Sequence, residues 1–409
     1  MTDNPMPPVS GGQSLAELTS LARTPLSQWP VRYPGRQAMG YLCSYVPVEI
    51  IYAAGLTPVR IRGTTTPLRR VDAHLQPFTC ALCRSALDHL LCGELHFLAG
   101  TVLAHTCDTM QALADLWRIG LPSSQPDSTS AGLYVVMQPT NLCSPAAYPY
   151  LVAELRRFRD RLAAFVGHPI TDDDLRSSIA LYNETRQLVG ALQRQSDLLS
   201  ANDFFAILDA AQLMPREQFN PLLAGLLATL EQSPAYQAAP ASLPAGPSLF
   251  LTGAVLDDPI LLELIQELGA RVAGDDLCSG SRHFHDWVDL SPDLAPAAAG
   301  ASRPGGREGD PIAALAAYFL RRSPCPAKLH PHHDPGPYLL EQVHAAHADG
   351  VLFVLAKFCD PHAFERALAL PALDRAGVPH LLLDAPGADQ SFSLEGVRTR
   401  LQAFVEILD

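Results

Sequence analysis

The sequence lacks a hydrophobic run long enough to cross a membrane, and its first residues do not form a charged-then-apolar leader. It is also poor in positive charge: Lys and Arg number 29 against 42 Asp and Glu, a formal net charge of −13. Such a balance gives no general attraction to nucleic acid or anionic lipid, although it is compatible with a local basic patch for an anionic ligand. We therefore expect a cytoplasmic protein that binds neither nucleic acid nor membranes.

The motifs of several common enzyme classes are absent as well. No G-x-G-x-x-G, Walker P-loop or G-x-S-x-G occurs, so dinucleotide binding, nucleotide hydrolysis and serine esterase chemistry lack their usual signals. Only one C-x-x-C is found, Cys80 and Cys83, which argues against a structural zinc knuckle. Two interpretations of this pair are open: thiols on successive turns of a helix, or metal binding by one or both.

What the sequence does contain is a large apolar fraction, 48% of 409 residues, and an alternation of strand-like and helical segments. The alternation covers residues 36–140 and resumes after residue 247, whereas the middle has only amphipathic helices. Strands separated by helices predict parallel sheets. We predict an α/β fold with an N-terminal α/β domain (residues 1–145), a helical domain and linker (146–245) and a C-terminal α/β domain (246–409).

The nine cysteines are unusual for a protein expected in a reducing compartment, where structural disulfides are rare. They are therefore expected to be buried thiols, catalytic thiols or metal ligands. They stand at positions 43, 80, 83, 92, 107, 143, 278, 325 and 359.

Three of these cysteines follow hydrophobic strands, and ligand sites of open α/β sheets lie beyond the carboxyl ends of strands. Cys107 and Cys359 each end a strand and open a helix, whose N-terminal amides favour a thiolate. Cys43 ends a third strand. With one more thiolate from Cys80 or Cys43, Cys107 and Cys359 would make a three-cysteine iron–sulfur site with an open coordination position. The plain alternative is a buried thiol at a strand end.

Two further clusters are candidates for chemistry. The polar segment 275–282, which includes Cys278, follows a strand and is expected to line the cleft or to form a capped turn. His330, His332 and His333 share one proline-rich loop, where a zinc site is conceivable but companion ligands are missing.

Local strings connect the chain to a known family. They begin with GYLCSYVPVEIIYAAGLTPVRIRG (residues 40–63) and continue with CALCRSAL, HTCDTM, ITDDDL, YNETR, DDLCSGSRHF, RRSPCPAK and ADGVLFVLAKFCDPHAFE. In these strings the sequence resembles the 2-hydroxyacyl-CoA dehydratase component D and benzoyl-CoA reductase subunit family, in order and over nearly the whole chain.

The resemblance implies two Rossmann-like domains with a helical domain between them, and subunits that pair as dimers. It also implies a [4Fe–4S] cluster held by three cysteines, which by motif are Cys80, Cys107 and Cys359; a double-cubane cluster is the variant. Cys83 replaces a residue that is usually not cysteine. The resemblance gives supporting or cleft-lining places to Cys43, Cys278 and Cys325.

The reaction implied is loss of water from a 2-hydroxyacyl-CoA thioester. Its C3 hydrogen is not acidic, but one electron added to the thioester carbonyl gives a ketyl radical anion that expels the 2-hydroxyl, after which an ordinary base suffices. Candidate polar groups are Ser44 and Glu49, the latter with the alternative of a surface helix glutamate. Implied partners are a paralogous subunit or second copy and an ATP-dependent iron–sulfur activator.

Two alternatives to a dehydratase are open at this stage. One is an ATP-coupled reductase of the same family, either a benzoyl-CoA reductase subunit or a double-cubane protein. The other is a non-catalytic partner subunit, against which the three cysteines argue, since a scaffold needs no thiolate trio.

Overall fold

The N-terminal part of the chain forms a four-stranded parallel sheet in the order β2-β1-β3-β4. The computed structural model describes residues 11–64, 66–120, 132–232, 246–291, 309–323, 325–330, 333–385 and 393–408. The helices and strands of the N-terminal part are α1 (Gly11–Ala22), α2 (Trp29–Arg32), β1 (Ala38–Leu42), α3 (Val48–Ala53), β2 (Thr57–Arg60), α4 (Ala81–Leu91), β3 (Leu98–His105), α5 (Asp108–Trp117) and β4 (Leu133–Met137).

Helices alone make up the middle of the chain: α6 (Ala147–Val166), α7 (Asp172–Gln193), α8 (Ala201–Ala210) and α9 (Arg216–Glu231). Thr171 followed by Asp174 three residues later predicts a capping box at the start of α7, and the structure has one. The Asp174 amide donates to Thr171 Oγ1 (3.1 Å), and the Thr171 amide donates back to Asp174 Oδ2 (2.8 Å).

A second parallel sheet, in the order β6-β5-β7-β8, forms the C-terminal part. The predicted α/β class, with two parallel-sheet domains and helices between them in sequence, is confirmed. The helices and strands of the C-terminal part are β5 (Ser248–Gly253), α10 (Ile260–Glu267), β6 (Arg271–Leu277), α11 (Ser281–Phe284), α12 (Pro311–Arg321), α13 (Pro335–Ala345), β7 (Gly350–Leu355), α14 (Asp360–Ala376), β8 (His380–Asp384) and α15 (Leu394–Leu408).

Strand β6 is longer than predicted, because it continues through Asp275 and Asp276, which we assigned to the loop after the strand. Both carboxylates are buried but satisfied: Asp275 accepts from the amides of Leu277 and Ser281, and Asp276 pairs with Arg282. These tertiary partners remove the cost of burying acidic side chains in a strand.

The domain limits at residues 145 and 245 stay a prediction, and packing links the three parts extensively. Helix α12, within the predicted C-terminal domain, packs on α6 and α7. Helix α1 and helix α13 were not predicted; α1 packs on α8 and α9. The stretch at residues 233–247, rich in Pro and Ala, predicts a linker, and the stretch at 290–309, rich in Pro, Ala and Gly, predicts a surface loop. Most of both lies outside the described residues. No helix in the described ranges is long and apolar enough to cross a membrane.

The carboxyl ends of the two sheets meet. The Ala81 amide at the start of α4 donates to the Lys357 carbonyl just after β7 (3.0 Å), and the Gly63 amide donates to Asp257 Oδ2 (2.7 Å). Gly253 closes β5 with φ +145°, where a Cβ would lie 1.9 Å from the Val354 carbonyl oxygen. Only glycine allows this close approach of β5 to β7 at the cleft.

Candidate functional site

The three predicted cluster ligands occupy the same local position in three helices. Cys80 is the N-cap of α4, Cys107 that of α5 and Cys359 that of α14. Free N–H groups and the positive end of the helix dipole therefore lie at each sulfur. The strand-then-helix pattern led us to expect thiolates at Cys107 and Cys359. Instead, burial raises the pKa of Cys107, and contact with Cys80 together with burial raises that of Cys359.

The fold brings these cysteines from both sheets to one place. Cys80 and Cys359 lie close enough for each thiol to shift the pKa of the other. Cys107 lies close enough to Cys80 for a thiolate there to raise its pKa. The surrounding cluster of side chains is apolar and includes Leu42, Leu103, Met110, Ala254 and Ala356.

The thiols differ in acidity. Hydrogen bonds from Cys359 and Cys83, then from the amides of Cys83 and Leu82, hold the pKa of Cys80 well below its usual value. The hydrogen bond to Cys80 and burial raise the pKa of Cys359, and burial raises that of Cys107 to about 11. One thiolate is thus stabilised beside two thiols, which would lose their protons on binding a cation.

These three thiols are compatible with an iron–sulfur cluster. No three His, Cys, Asp or Glu side chains within the described ranges converge closely enough to hold one metal ion. Cysteines bound to a cubane ligate separate irons, so three thiolates around an apolar space need not meet at a point. The donor set, thiols alone, is the one such clusters take.

Cys83 packs behind this site. Its sulfur lies 3.8 Å from Met110 Sδ in the N-terminal core, and the Cys80 thiolate together with burial raises its pKa. The C-x-x-C is therefore an N-cap thiol and a thiol of the first helical turn.

A second set of thiols lies in loops. Cys43 follows β1, Cys278 follows β6 and Cys325 follows α12. Burial, and then the charges of Cys43 and Cys278, raise the pKa of Cys325, so the three are near one another. Cys43 Sγ lies 3.6 Å from Thr106 Oγ1. We did not predict that Cys278 comes directly after a strand. Asp275 and Asp276 are acidic, so the sequence pattern did not indicate that β6 continues to Leu277.

Cys278 also contacts a histidine. Its sulfur lies 3.5 Å from His362 Nε2, and His362 Nδ1 lies 3.4 Å from Glu365 Oε2. Arg282 binds Asp276 through two hydrogen bonds (2.8 and 2.5 Å). Asp276, Arg282, His362 and Glu365 line one small pocket within the C-terminal part.

The two candidate catalytic residues lie close together in sequence but in different surroundings. Ser44 is buried next to Cys43, and its carbonyl accepts from Arg322 Nη1 (2.7 Å). Glu49 is 0% exposed and forms an ion pair with Arg186 of α7, which excludes the surface-glutamate alternative. Its Oε2 has no partner among the described residues. The catalytic roles of both stay predictions.

The histidine loop forms no visible metal site in the part that the structure describes. The rings of His330 and His333 are 6.3 Å apart, and His333 packs on Tyr338. His332 lies outside the described residues.

Comparisons with known proteins agree with these motifs. The profile of the family described as "2-hydroxyglutaryl-CoA dehydratase, D-component" matches residues 43–408. The C subunit of benzoyl-CoA reductase from Thauera aromatica is 28% identical over 94% of both chains. The (R)-phenyllactyl-CoA dehydratase beta subunit of Clostridium sporogenes is 24% identical over 91% of this chain and 92% of that one. The beta subunit of (R)-2-hydroxyglutaryl-CoA dehydratase from Acidaminococcus fermentans is 24% identical over 97% and 98%.

Proposed function

Because the chain belongs to the 2-hydroxyglutaryl-CoA dehydratase D-component family, we propose that it is the iron–sulfur subunit of a hydro-lyase that converts a 2-hydroxyacyl-CoA to the 2-enoyl-CoA. The observation that carries the proposal is the set of three N-cap thiols, Cys80, Cys107 and Cys359, gathered from both sheets at one apolar site.

In this proposal the three cysteines hold a [4Fe–4S] cluster. Such a cluster, when bound, supplies single electrons at low potential. The chain's own part is to hold the thiolates with helix N-termini and to keep water away with the apolar wall. Since both sheets contribute ligands, the site also fixes the two domains relative to each other.

In this proposal a polar residue of the chain transfers the proton. The C3 hydrogen of the substrate must pass to a base, and Glu49 has a buried carboxylate oxygen without a partner in the described part of the chain. Ser44, next to Cys43, is the candidate to hydrogen-bond the acyl group. Once the thioester carries an added electron, its C3 hydrogen is acidic enough for an ordinary base.

A protein partner is part of the proposal, because relatives are named as subunits of dehydratases or reductases. We infer a paralogous subunit or a second copy, and an ATP-dependent iron–sulfur activator as electron donor. Exposed apolar side chains near Cys359 support a protein contact on this face: Phe358 is 43% exposed, Phe364 71% and Leu368 65%.

The test is to count electrons. Dehydration is redox-neutral, so one electron can serve many turnovers, whereas a reductase consumes two per product. We expect anaerobic protein, given its donor with ATP and limiting titanium(III) citrate, to form more enoyl-CoA than electrons supplied. The substrates are lactoyl-, phenyllactyl- and 2-hydroxyglutaryl-CoA, and Cys359→Ser is the inactive control. No enoyl-CoA from these esters, together with a reduced product from benzoyl-CoA at half the electrons supplied, would identify a reductase instead.

A second candidate, the double-cubane reductase, is favoured by the second thiol set, Cys43, Cys278 and Cys325. If this set also binds iron, the loaded chain holds about eight irons rather than about four. Cys278→Ser and Cys325→Ser would then lower the content to about four, as anaerobic iron and sulfide analysis would show. A content of about four that is unchanged in both variants would leave the single-cluster proposal.

A further inference from the structure

A group of buried arginines lies where the three parts of the chain meet, although the protein as a whole is strongly acidic. Four of them, Arg60, Arg186, Arg216 and Arg322, lie near enough to His283 to lower its pKa well below normal, after burial itself. His283 is 8% exposed and stacks on Tyr41 of β1.

Most of these cations are matched by a specific partner. Arg60 pairs with Asp257 and, more distantly, with Asp209, and Arg186 pairs with Glu49. Arg322 donates to the carbonyls of Ser44 and Arg282 (2.7 Å each). Asp209 is shared further with Arg62 (2.7 Å). Five arginines thus face three carboxylates, which leaves excess positive charge in the interior.

Arg216 forms no ion pair with any residue that the structure describes. It is 4% exposed, and its Nε and Nη1 have no hydrogen-bond acceptor among the described residues. Its guanidinium lies over the Tyr182 ring, 4.7 Å from the centroid, and 5.9 Å from that of Phe219. The carboxylate next in sequence, Glu217, is occupied by Tyr52 and Arg36. Arginine cannot lose its proton in proteins, so this charge persists.

Other polar atoms around Arg216 are unsatisfied too. The Tyr41 hydroxyl is buried without a partner in the described ranges, as is His283 Nδ1, and both groups feel the Arg216 charge. Unpaired buried polar atoms are rare in folded proteins and destabilise the folded state. Water could satisfy the hydrogen bonds but would not neutralise the charge.

We propose that Arg216, together with the Tyr41 hydroxyl, binds a small carboxylate anion at this three-part junction. A carboxylate matches the planar guanidinium and accepts several hydrogen bonds. A monoanion is also less costly to desolvate between aromatic rings than a phosphate dianion. The site goes beyond the proposed reaction and does not depend on it.

The experiment is thermal unfolding of the anaerobic protein in a buffer free of carboxylates, with formate, acetate or phosphate added. We expect formate and acetate to raise the Tm saturably and phosphate to do so much less. In Arg216→Met the formate response should disappear. Its Tm in carboxylate-free buffer should be no lower than that of the wild type, because the substitution removes an uncompensated buried charge.

Arg321→Met is the matched control, since Arg321 is exposed and donates only to the Trp287 carbonyl; it should respond like the wild type. If Arg216→Met does not fold, Tyr41→Phe keeps the charge and should weaken formate binding about tenfold. An unchanged formate response in Arg216→Met, or in Tyr41→Phe if that is the variant that folds, would overturn the proposal. So would a crystal structure in formate with only water at the guanidinium.

The anion has two possible sources, a free small carboxylate or the acyl group of a dicarboxylic CoA ester. Binding of 2-hydroxyglutaryl-CoA that needs Arg216 and competes with formate would identify the acyl group; this arm alone rests on the proposed function. Formate binding without that competition would identify a free anion. Either result supports the site.

Discussion

Cys107→Ser and Cys359→Ser are each expected to lower the iron of the anaerobically reconstituted chain from about four atoms to near zero. The two cysteines come from different sheets, yet each caps a helix at the same apolar space. Loss of one of three thiolates leaves a cluster with two protein ligands and a serine at the helix N-cap, where no soft donor replaces it. Iron and sulfide analysis with EPR measures the result.

The matched control for these variants is Cys143→Ser, because Cys143 is partly exposed and belongs to neither thiol set. It should keep the wild-type iron content. If the wild type itself binds no iron after reconstitution, the chain is a family fold without a cluster, and a non-catalytic role replaces our proposal. If Cys107→Ser and Cys359→Ser retain their iron, other thiols are the ligands.

The fold was largely predictable because its strands and helices alternate with clear apolar runs. The five apolar residues of β4 predict a strand from their sequence alone, and the capping box of α7 follows from Thr171 and Asp174 alone. The prediction of strand bounds was wrong where hydrogen bonds from residues outside the strand determine the structure. Asp275 and Asp276 belong to β6 because hydrogen bonds from Ser281 and Arg282 satisfy their carboxylates. The apolar periodicity of a sequence does not indicate such contacts.

The same distinction applies to the site. The N-cap places of Cys107 and Cys359 could be predicted because strand, cysteine and helix are contiguous in sequence. The junction arginines could not, since Glu49 and Arg186 are 137 residues apart and nothing local marks them as a pair. Strand-end cysteines therefore indicated the chemistry, while the electrostatics that surround it needed the structure.

Glu49→Gln is expected to lower the stability of the folded protein strongly. Glu49 is fully buried, and its substitution leaves Arg186 in a low-dielectric interior without its counter-charge. Breaking a buried pair by removing one partner costs about 3–5 kcal/mol of unfolding free energy, which urea unfolding would detect. The matched control is Glu267→Gln, in the exposed pair with Arg398, for which about 1 kcal/mol or less is expected.

The double variant Glu49→Gln/Arg186→Met separates folding from chemistry. Removing both charges should restore most of the lost stability, because a buried ion pair replaced as a unit is often nearly neutral. If Glu49 is the base, this stable double variant should bind iron normally and still form no enoyl-CoA. Recovery of activity along with stability would show instead that Glu49 serves only to hold α3 against α7, and the base would have to be sought among the other polar groups at the carboxyl ends of the two sheets.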